Sequence, residues 1–387
     1  MPPSFLPYAK QSIHPNDIAA VATALNEELI TRGPPVKAFE EAIAKYCGAS
    51  YAVAFSNGTA ALMAAYFAAD LNPFDRVVST PNTFIASVGI PVRLGTPISF
   101  VDIDCQTGNM NLERLKALIQ IPSSRGRPFV IPVHFAGIAL DMVALNHSLS
   151  HPDVIIIEDA AHAIGSYYPS GERVGCCAYS DMTIFSFHPA KTMTTGEGGM
   201  VTTNNPEYHR RLLLYRDNGI VREAGGVNIP GYYEVQEITG NFHLTSFQGA
   251  LGLSQLERLE DFIKKRRQLV KIYRSNLKNI PHLRLFTDEF DAQTAFHLMV
   301  VQIDFSKYET KREIVMESLK RNGIGTQVHY IPLYRHPVLK HSLDWEEKYP
   351  ETEHYYSKAL SLPLYFDLTE NDVERVCKVL ESILKNK

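Results

Sequence analysis

Val154-Ile155-Ile156-Ile157-Glu158-Asp159-Ala160-Ala161-His162 is an apolar, β-branched run that ends in two acids, two small residues and a histidine. Four consecutive apolar residues without polar alternation read as a strand covered on both faces, as in a parallel sheet. Ligands of open α/β sheets bind at the carboxyl ends of the strands, which is where Asp159 falls. A carboxylate there is able to hold a protonated ring nitrogen of a bound heterocycle. Read alone, the acid fits the cap of a following helix better, since acids between strand and helix are common caps.

Working outward, short runs of the same kind occur at Ala52 to Phe55, Arg76 to Ser79, Val130 to Val133 and Met182 to Phe187. Helical stretches such as Ala60 to Ala69 and Leu112 to Gln120, the latter behind Asn111 as N-cap, lie between them. This alternation predicts an α/β fold with a largely parallel, doubly covered sheet. From about Thr245 the pattern changes to a long helical stretch, Phe247 to Tyr273, and then to an α+β region with strands at Val300 to Ile303 and Gly325 to Tyr330 and a closing helix at Asn371 to Leu384. A chain of 387 residues exceeds what one core usually holds. The expected division is therefore a large domain over 1–245 and a small one over 246–387, with roughly the first 30 residues packing on the small one.

The formal charge of −4, from 38 basic and 42 acidic residues spread along the chain, argues against nucleic acid or anionic lipid as a partner. Lys264, Lys265, Arg266 and Arg267 read as the solvated face of a helix whose apolar positions are Leu259, Phe262, Ile263, Leu269 and Val270. Five cysteines without CxxC spacing fit a reduced, cytoplasmic setting. The N-terminus lacks a charged start and apolar core, and Phe129 to Leu145 is interrupted by Pro132, His134 and Asp141, so neither export nor membrane spanning is expected. His134, His151 and His336 show no metal-ligand spacing, and no metal is expected.

Two further segments carry chemistry. In Phe185-Ser186-Phe187-His188-Pro189-Ala190-Lys191, followed by Thr194-Thr195-Gly196-Glu197-Gly198-Gly199, a lysine lies between a strand and a flexible turn that leads to a strand at Met200 to Thr203. Its amine would project from a rigid edge into a cleft, and desolvation would lower its pKa enough for attack on an aldehyde. A surface lysine in a loop is the plain alternative. Upstream, Ser56-Asn57-Gly58-Thr59-Ala60-Ala61-Leu62 joins strand to helix through small residues, a geometry that binds phosphate or merely caps the helix through Ser56 or Thr59. The glycine-rich segment Gly196 to Gly199 matches neither the dinucleotide fingerprint nor the P-loop.

Together these segments resemble the DegT/DnrJ/StrS sugar aminotransferases of fold-type I, the pyridoxal-phosphate enzymes with a large domain and a smaller C-terminal α+β domain. The resemblance spans nearly the whole chain, through Thr31-Arg32-Gly33, Phe39-Glu40, Asn57 to Leu62, Pro81-Asn82-Thr83-Phe84, Glu158 to His162, Phe185 to Lys191, Gly196 to Gly199, Val328-His329-Tyr330 and Leu362-Pro363-Leu364. It implies that Lys191 is the Schiff-base lysine and Asp159 the partner of the pyridinium nitrogen. It also implies that Gly58, Thr59 and Ser186 bind the cofactor phosphate, Phe84 stacks on one ring face and His162 contacts the phenolic-oxygen side. Asn241 would reach the phosphate bound by a second subunit of a homodimer. His329 and Tyr330 resemble the family's pair at the sugar side of the cleft; they and His188 are candidate substrate contacts, with packing roles as the alternative.

Two departures stand out: His243 where the family carries arginine, and Arg216-Asp217-Asn218-Gly219 where it carries Arg-Ser-His-Gly. A dehydratase branch replaces the lysine with histidine, so Lys191 points to transamination. An amino acid, L-glutamate by family habit, would convert the cofactor to pyridoxamine phosphate, and a nucleotide-linked keto sugar would receive the amine. Phe185 to His188, Thr194-Thr195 and Gln327 to Tyr330 most resemble the pseudaminic-acid branch, which aminates C4 of UDP-linked 4-keto-6-deoxy-N-acetylhexosamines. A GDP- or dTDP-linked 3- or 4-keto sugar is the alternative substrate, and a non-catalytic regulator or sensor on the same fold the alternative of another class.

Overall fold

The computed structural model describes residues 5–119, 126–149, 153–222, 230–339 and 348–385, so His151 and Gln120 lie outside the described residues. In chain order come α1 (Pro15–Leu25), α2 (Pro34–Cys47), β1 (Tyr51–Phe55), α3 (Gly58–Ala68), β2 (Arg76–Ser79), α4 (Ala86–Leu94), β3 (Ile98–Phe100), α5 (Leu112–Ile119), β4 (Pro128–Val130), α6 (Met142–Ser148), β5 (Ile155–Asp159), β6 (Met182–Ser186), β7 (Gly199–Thr203) and α7 (Pro206–Arg216). The seven strands form one sheet in the order β1-β7-β6-β5-β4-β2-β3, in which β7 alone runs against its neighbours. β5 lies at its middle, between β4 and β6, and Ile157 is fully buried.

Local signals set the ends of these elements. Asn57 caps α3 by accepting from the Ala60 amide at 2.9 Å, so the helix starts at Gly58, two residues before the expected Ala60. Asn111 holds the start of α5 as expected, accepting from the Arg114 amide at 3.0 Å. β4 stops at Val130, short of the expected Val133, although the Ile131 amide still donates to Val78 at 2.8 Å.

The rest of the chain carries a two-stranded ribbon, β8 (Ile220–Val221) with β9 (Glu234–Val235), then α8 (Ser246–Glu257), α9 (Leu259–Leu277), β10 (Leu283–Leu285), β11 (Met299–Ile303), α10 (Arg312–Arg321), α11 (Pro350–Lys358), β12 (Ala359–Leu362) and α12 (Glu370–Lys385). β10, β11 and β12 make an antiparallel sheet. The expected single helix from Phe247 to Tyr273 breaks at Arg258, whose guanidinium reaches Asp17 of α1 at 3.0 Å. α8 lies against α1 and α2, and α9 spans two cores. Its Leu259, Phe262 and Ile263 join the core beneath the large sheet, whereas Leu269, Val270, Tyr273 and Leu277 join that of the small sheet. The change of packing from one core to the other thus falls inside α9.

Two expectations are overturned. Gly325 to Tyr330 is not a strand: the Gly325 amide pairs with Leu6, and only Gln327 bridges to Ser361 beside β12. Arg266 is not solvated. It is 2% exposed, and its guanidinium donates to the carbonyls of Phe296, His297 and Leu364. Burial lowers its pKa to about 10.

Candidate active site

Three strand ends and a helix start converge on a cavity of about 1370 Å³. β1 leads into α3, β5 ends at Asp159, and β6 ends at Ser186, from which the loop to β7 carries His188 and Lys191. All eleven residues expected to serve the site border this cavity: Gly58, Thr59, Phe84, Asp159, His162, Ser186, His188, Lys191, Asn241, His329 and Tyr330.

Asp159 is buried, with its carboxylate plane fixed from both sides. The Ser87 hydroxyl donates to Oδ2 at 2.6 Å and the Ala161 amide to Oδ1 at 3.2 Å. Because the Ser87 proton goes to the carboxylate, the Thr83 hydroxyl, 2.7 Å away, donates to Ser87. Asp159 therefore does not cap a helix. Lys191 is partly buried, and its amine has no hydrogen-bond partner among the described residues. Burial lowers its pKa to about 8, while the charge of Asp159 pulls it upward. About a tenth of the amine is thus the free base at pH 7, some hundreds of times more than in an ordinary lysine, as a nucleophile requires.

At the other end, the first-turn amides of α3 are ones that a helix cannot pair internally. With Asn57 as the cap, the Thr59 hydroxyl is spared, and neither it nor the Ser186 hydroxyl has a partner among the described residues. A Cβ added to Gly58 would stand 2.9 Å from the Ser186 Cβ, so only glycine allows the helix start to approach that hydroxyl. Free amides, two hydroxyls and a helix N-terminus make a cradle for a phosphate dianion. Phosphate cradle, amine and carboxylate supply the three attachments that pyridoxal phosphate needs, and the donor set fits it.

The remaining wall is aromatic and histidine-rich. Phe84 is 57% exposed, with its ring 6.4 Å from that of Tyr330. His162 meets the Tyr330 hydroxyl at 3.0 Å through Nε2 and the Ala136 amide at 3.3 Å through Nδ1. His329 is buried, with Nδ1 2.8 Å from the Ser361 hydroxyl and its carbonyl accepting from Tyr355, so it packs as well as borders the cavity. Burial and Lys191 push its pKa down to about 3. His188 is exposed and accepts from the Ala190 amide at Nδ1, leaving Nε2 as the donor of the neutral ring. Asn241 is exposed at the rim.

The two departures from the family pattern touch each other: His243 Nε2 lies 3.3 Å from Asp217, which also pairs with Arg32 at 2.7 Å and Arg222 at 2.8 Å. Sequence reasoning missed Ser87, Tyr8 and His297. Tyr8 borders the cavity with its ring 5.7 Å from His329, and the buried His297 packs against His162 with ring centroids 4.3 Å apart. Only Ser87 left a signal, as a second hydroxyl four residues after Thr83, in the first turn of α4.

Among the described residues no helix is long and apolar enough to cross a membrane. Residues 11–381 match the DegT/DnrJ/EryC1/StrS aminotransferase family. The chain is 34% identical to the Bacillus subtilis spore coat polysaccharide biosynthesis protein SpsC, over 98% of this chain and 97% of that one. It is 32% identical to a Campylobacter jejuni UDP-4-amino-4,6-dideoxy-N-acetyl-beta-L-altrosamine transaminase, with 98% of each covered. Among solved structures, Helicobacter pylori PseC, an aminotransferase of pseudaminic acid biosynthesis, superposes with a TM-score of 0.88 at 25% identity, over 99% of this chain and 100% of that one. With its fold, its cavity and these relatives in agreement, the chain belongs to the DegT/DnrJ/EryC1/StrS family and is a pyridoxal-phosphate-dependent sugar aminotransferase.

Proposed function

We propose that the protein transfers an amino group from an amino acid, L-glutamate, to C4 of a UDP-linked 4-keto-6-deoxy-N-acetylhexosamine. The observation that carries the chemistry is Lys191, a lysine amine lowered to about 8 by burial, in the same cavity as the Asp159 carboxylate. The Campylobacter and Helicobacter relatives support the choice of sugar.

When bound, pyridoxal phosphate supplies an electron sink that lets amino group and proton exchange between donor and acceptor. Gly58, Thr59 and Ser186 hold its phosphate, and Asp159 keeps the ring nitrogen protonated. Phe84 would cover a ring face, and His162, its two nitrogens engaged by the Ala136 amide and Tyr330, would stand against the phenolic-oxygen side of the ring. Lys191 Nζ carries the proton to and from the substrate carbon as general acid and base. His188, His329 and Tyr330 contact the sugar. A second copy of the chain completes the site through Asn241; the exposed Asn241 and Ile238, which is 93% exposed on the approach to it, support a homodimer there. The five free thiols fit the cytoplasm.

A panel of UDP-, GDP- and dTDP-linked keto sugars, incubated with enzyme and glutamate, tests the reading by the mass gained when oxygen is replaced by an amine. Gain with the UDP 4-keto sugar is expected. Gain only with a GDP or dTDP sugar would move the substrate assignment, and no gain anywhere would overturn it.

A further inference from the structure

The His162 ring stands between two polar groups, the Ala136 amide at Nδ1 and the Tyr330 hydroxyl at Nε2. An amide nitrogen only donates, so Nδ1 must offer its lone pair, and the proton of a neutral ring sits on Nε2. The ring is neutral: burial, and then the charges of Lys191 and His329, hold its pKa well below the usual histidine value. Nε2–H therefore donates to the Tyr330 oxygen. The phenol keeps its own proton, since burial raises its pKa far above the usual tyrosine value, and that proton has no acceptor among the described residues. The residue borders the cavity, so the proton is available to a ligand there.

The amide that imposes this order belongs to a constrained turn. Ala136 has φ 57° and ψ 4°, a left-handed conformation that a residue with a side chain disfavours. Its neighbours hold it there. Ser166 donates to the Gly137 carbonyl at 2.6 Å, and Asn109 accepts from the Phe135 amide at 2.8 Å while donating to the Ile138 carbonyl at 2.9 Å. The Ala136 carbonyl accepts from the His297 amide at 2.9 Å, and the His297 ring packs against that of His162 at 4.3 Å, tilted by 42°. One turn thus holds His162 by a hydrogen bond at its edge and, through His297, by a tilted ring contact. Strained conformations held by several contacts are characteristic of functional sites.

We propose that the left-handed turn at Ala136 fixes His162 as its Nε2–H tautomer and so aims the Tyr330 hydroxyl proton into the cavity, as the donor to an oxygen of the acceptor sugar. The identity of the acceptor rests on the function proposed above; the tautomer does not. Ala136 and His297 are positioning residues in this arrangement.

The tautomer is read on the full-length protein loaded with pyridoxal phosphate, with its histidines isotope-labelled at nitrogen, by two-bond proton–nitrogen correlation. The signals lost in His162→Gln identify His162. An unprotonated Nδ1 is expected in the wild type and equally in Tyr330→Phe, because the backbone and not the phenol sets the ring. A proton on Nδ1 in either protein overturns the proposal. In steady-state kinetics Tyr330→Phe is expected to raise the KM of the acceptor about tenfold more than that of the amino donor, the effect of one lost hydrogen bond. Equal changes for both would overturn the donor role of Tyr330. If no sugar in the panel were aminated, the nitrogen spectrum would still decide the tautomer.

Discussion

Glu158 and Asp159 are consecutive acids on β5, yet their surroundings differ in kind. Glu158 faces the interior with no exposed surface. It accepts from His134 at 2.6 Å, Tyr168 at 2.7 Å, Thr183 at 2.9 Å and Ser180. The Leu140 amide donates to His134 Nδ1 at 3.0 Å, which makes His134 an Nε2–H donor and not a second acceptor. Burial alone would raise the Glu158 pKa, but His134, Ser180 and Tyr168 hold it below the usual carboxylate value. Every useful lone pair of this carboxylate is spent inside the protein. Asp159 points the other way, has two donors, and borders the cavity. A buried acid that its own fold has saturated is a structural tie, and one left with capacity beside a cavity is positioned to hold a ligand.

The sharpest way to break this comparison is to neutralise each acid. Asp159→Asn should lower amine transfer on the order of 10³-fold while leaving the fold intact, because a ring nitrogen loses its charge partner. It should also move Lys191. The carboxylate raises that amine's pKa against burial, so its removal should shift the midpoint for capture of pyridoxal phosphate below the wild-type value of about 8. Capture should then persist further into acid, as followed by the yellow absorbance across a pH series. An unchanged midpoint would mean that Asp159 and Lys191 do not feel each other.

Glu158→Gln should do the reverse. Its amide group meets hydroxyl and imidazole donors that have lost their anion, and about 3 kcal/mol of stability should be lost. Denaturation followed by circular dichroism reads this as an earlier midpoint, with the capture midpoint still near 8. A protein of unchanged stability and impaired chemistry would invert the roles assigned to the two acids.

The pair also marks what the amino-acid sequence discloses. Alternating faces along a strand place neighbouring acids on opposite sides, so Val154 to His162 announced both the strand and an acid at its end. Lys191 was legible because glycines and a following strand bracket it. Arg266 was not. Its spacing along α9 is that of a solvated face, and nothing local reveals that three carbonyls from residues 296, 297 and 364 close over it. Tyr8 and His297 reach the cavity from segments far apart in the chain, and Gly325 to Tyr330 has strand-like residues whose partners are single residues of other segments. Such groups are placed by tertiary packing, which periodicity does not encode.

The smallest expected effect concerns Ser87, which donates to Asp159 Oδ2 and stands 72 residues away from it in the chain. If Asp159 differs from Glu158 in keeping capacity for a ligand, the few donors that it does have must serve to orient it. Ser87→Ala removes one neutral donor to a charged acceptor, worth about 1.5 kcal/mol, and should slow amine transfer roughly tenfold. Thr83 is 2.7 Å from Ser87 and would lose its own acceptor, so Ser87→Thr, which keeps the hydroxyl, should restore most of the rate. Turnover in the two variants, measured with saturating pyridoxal phosphate, separates orientation from cofactor loss. If Ser87→Ala were as active as the wild type, the Ala161 amide alone would hold the carboxylate, and the contrast with the four-donor shell of Glu158 would be sharper still.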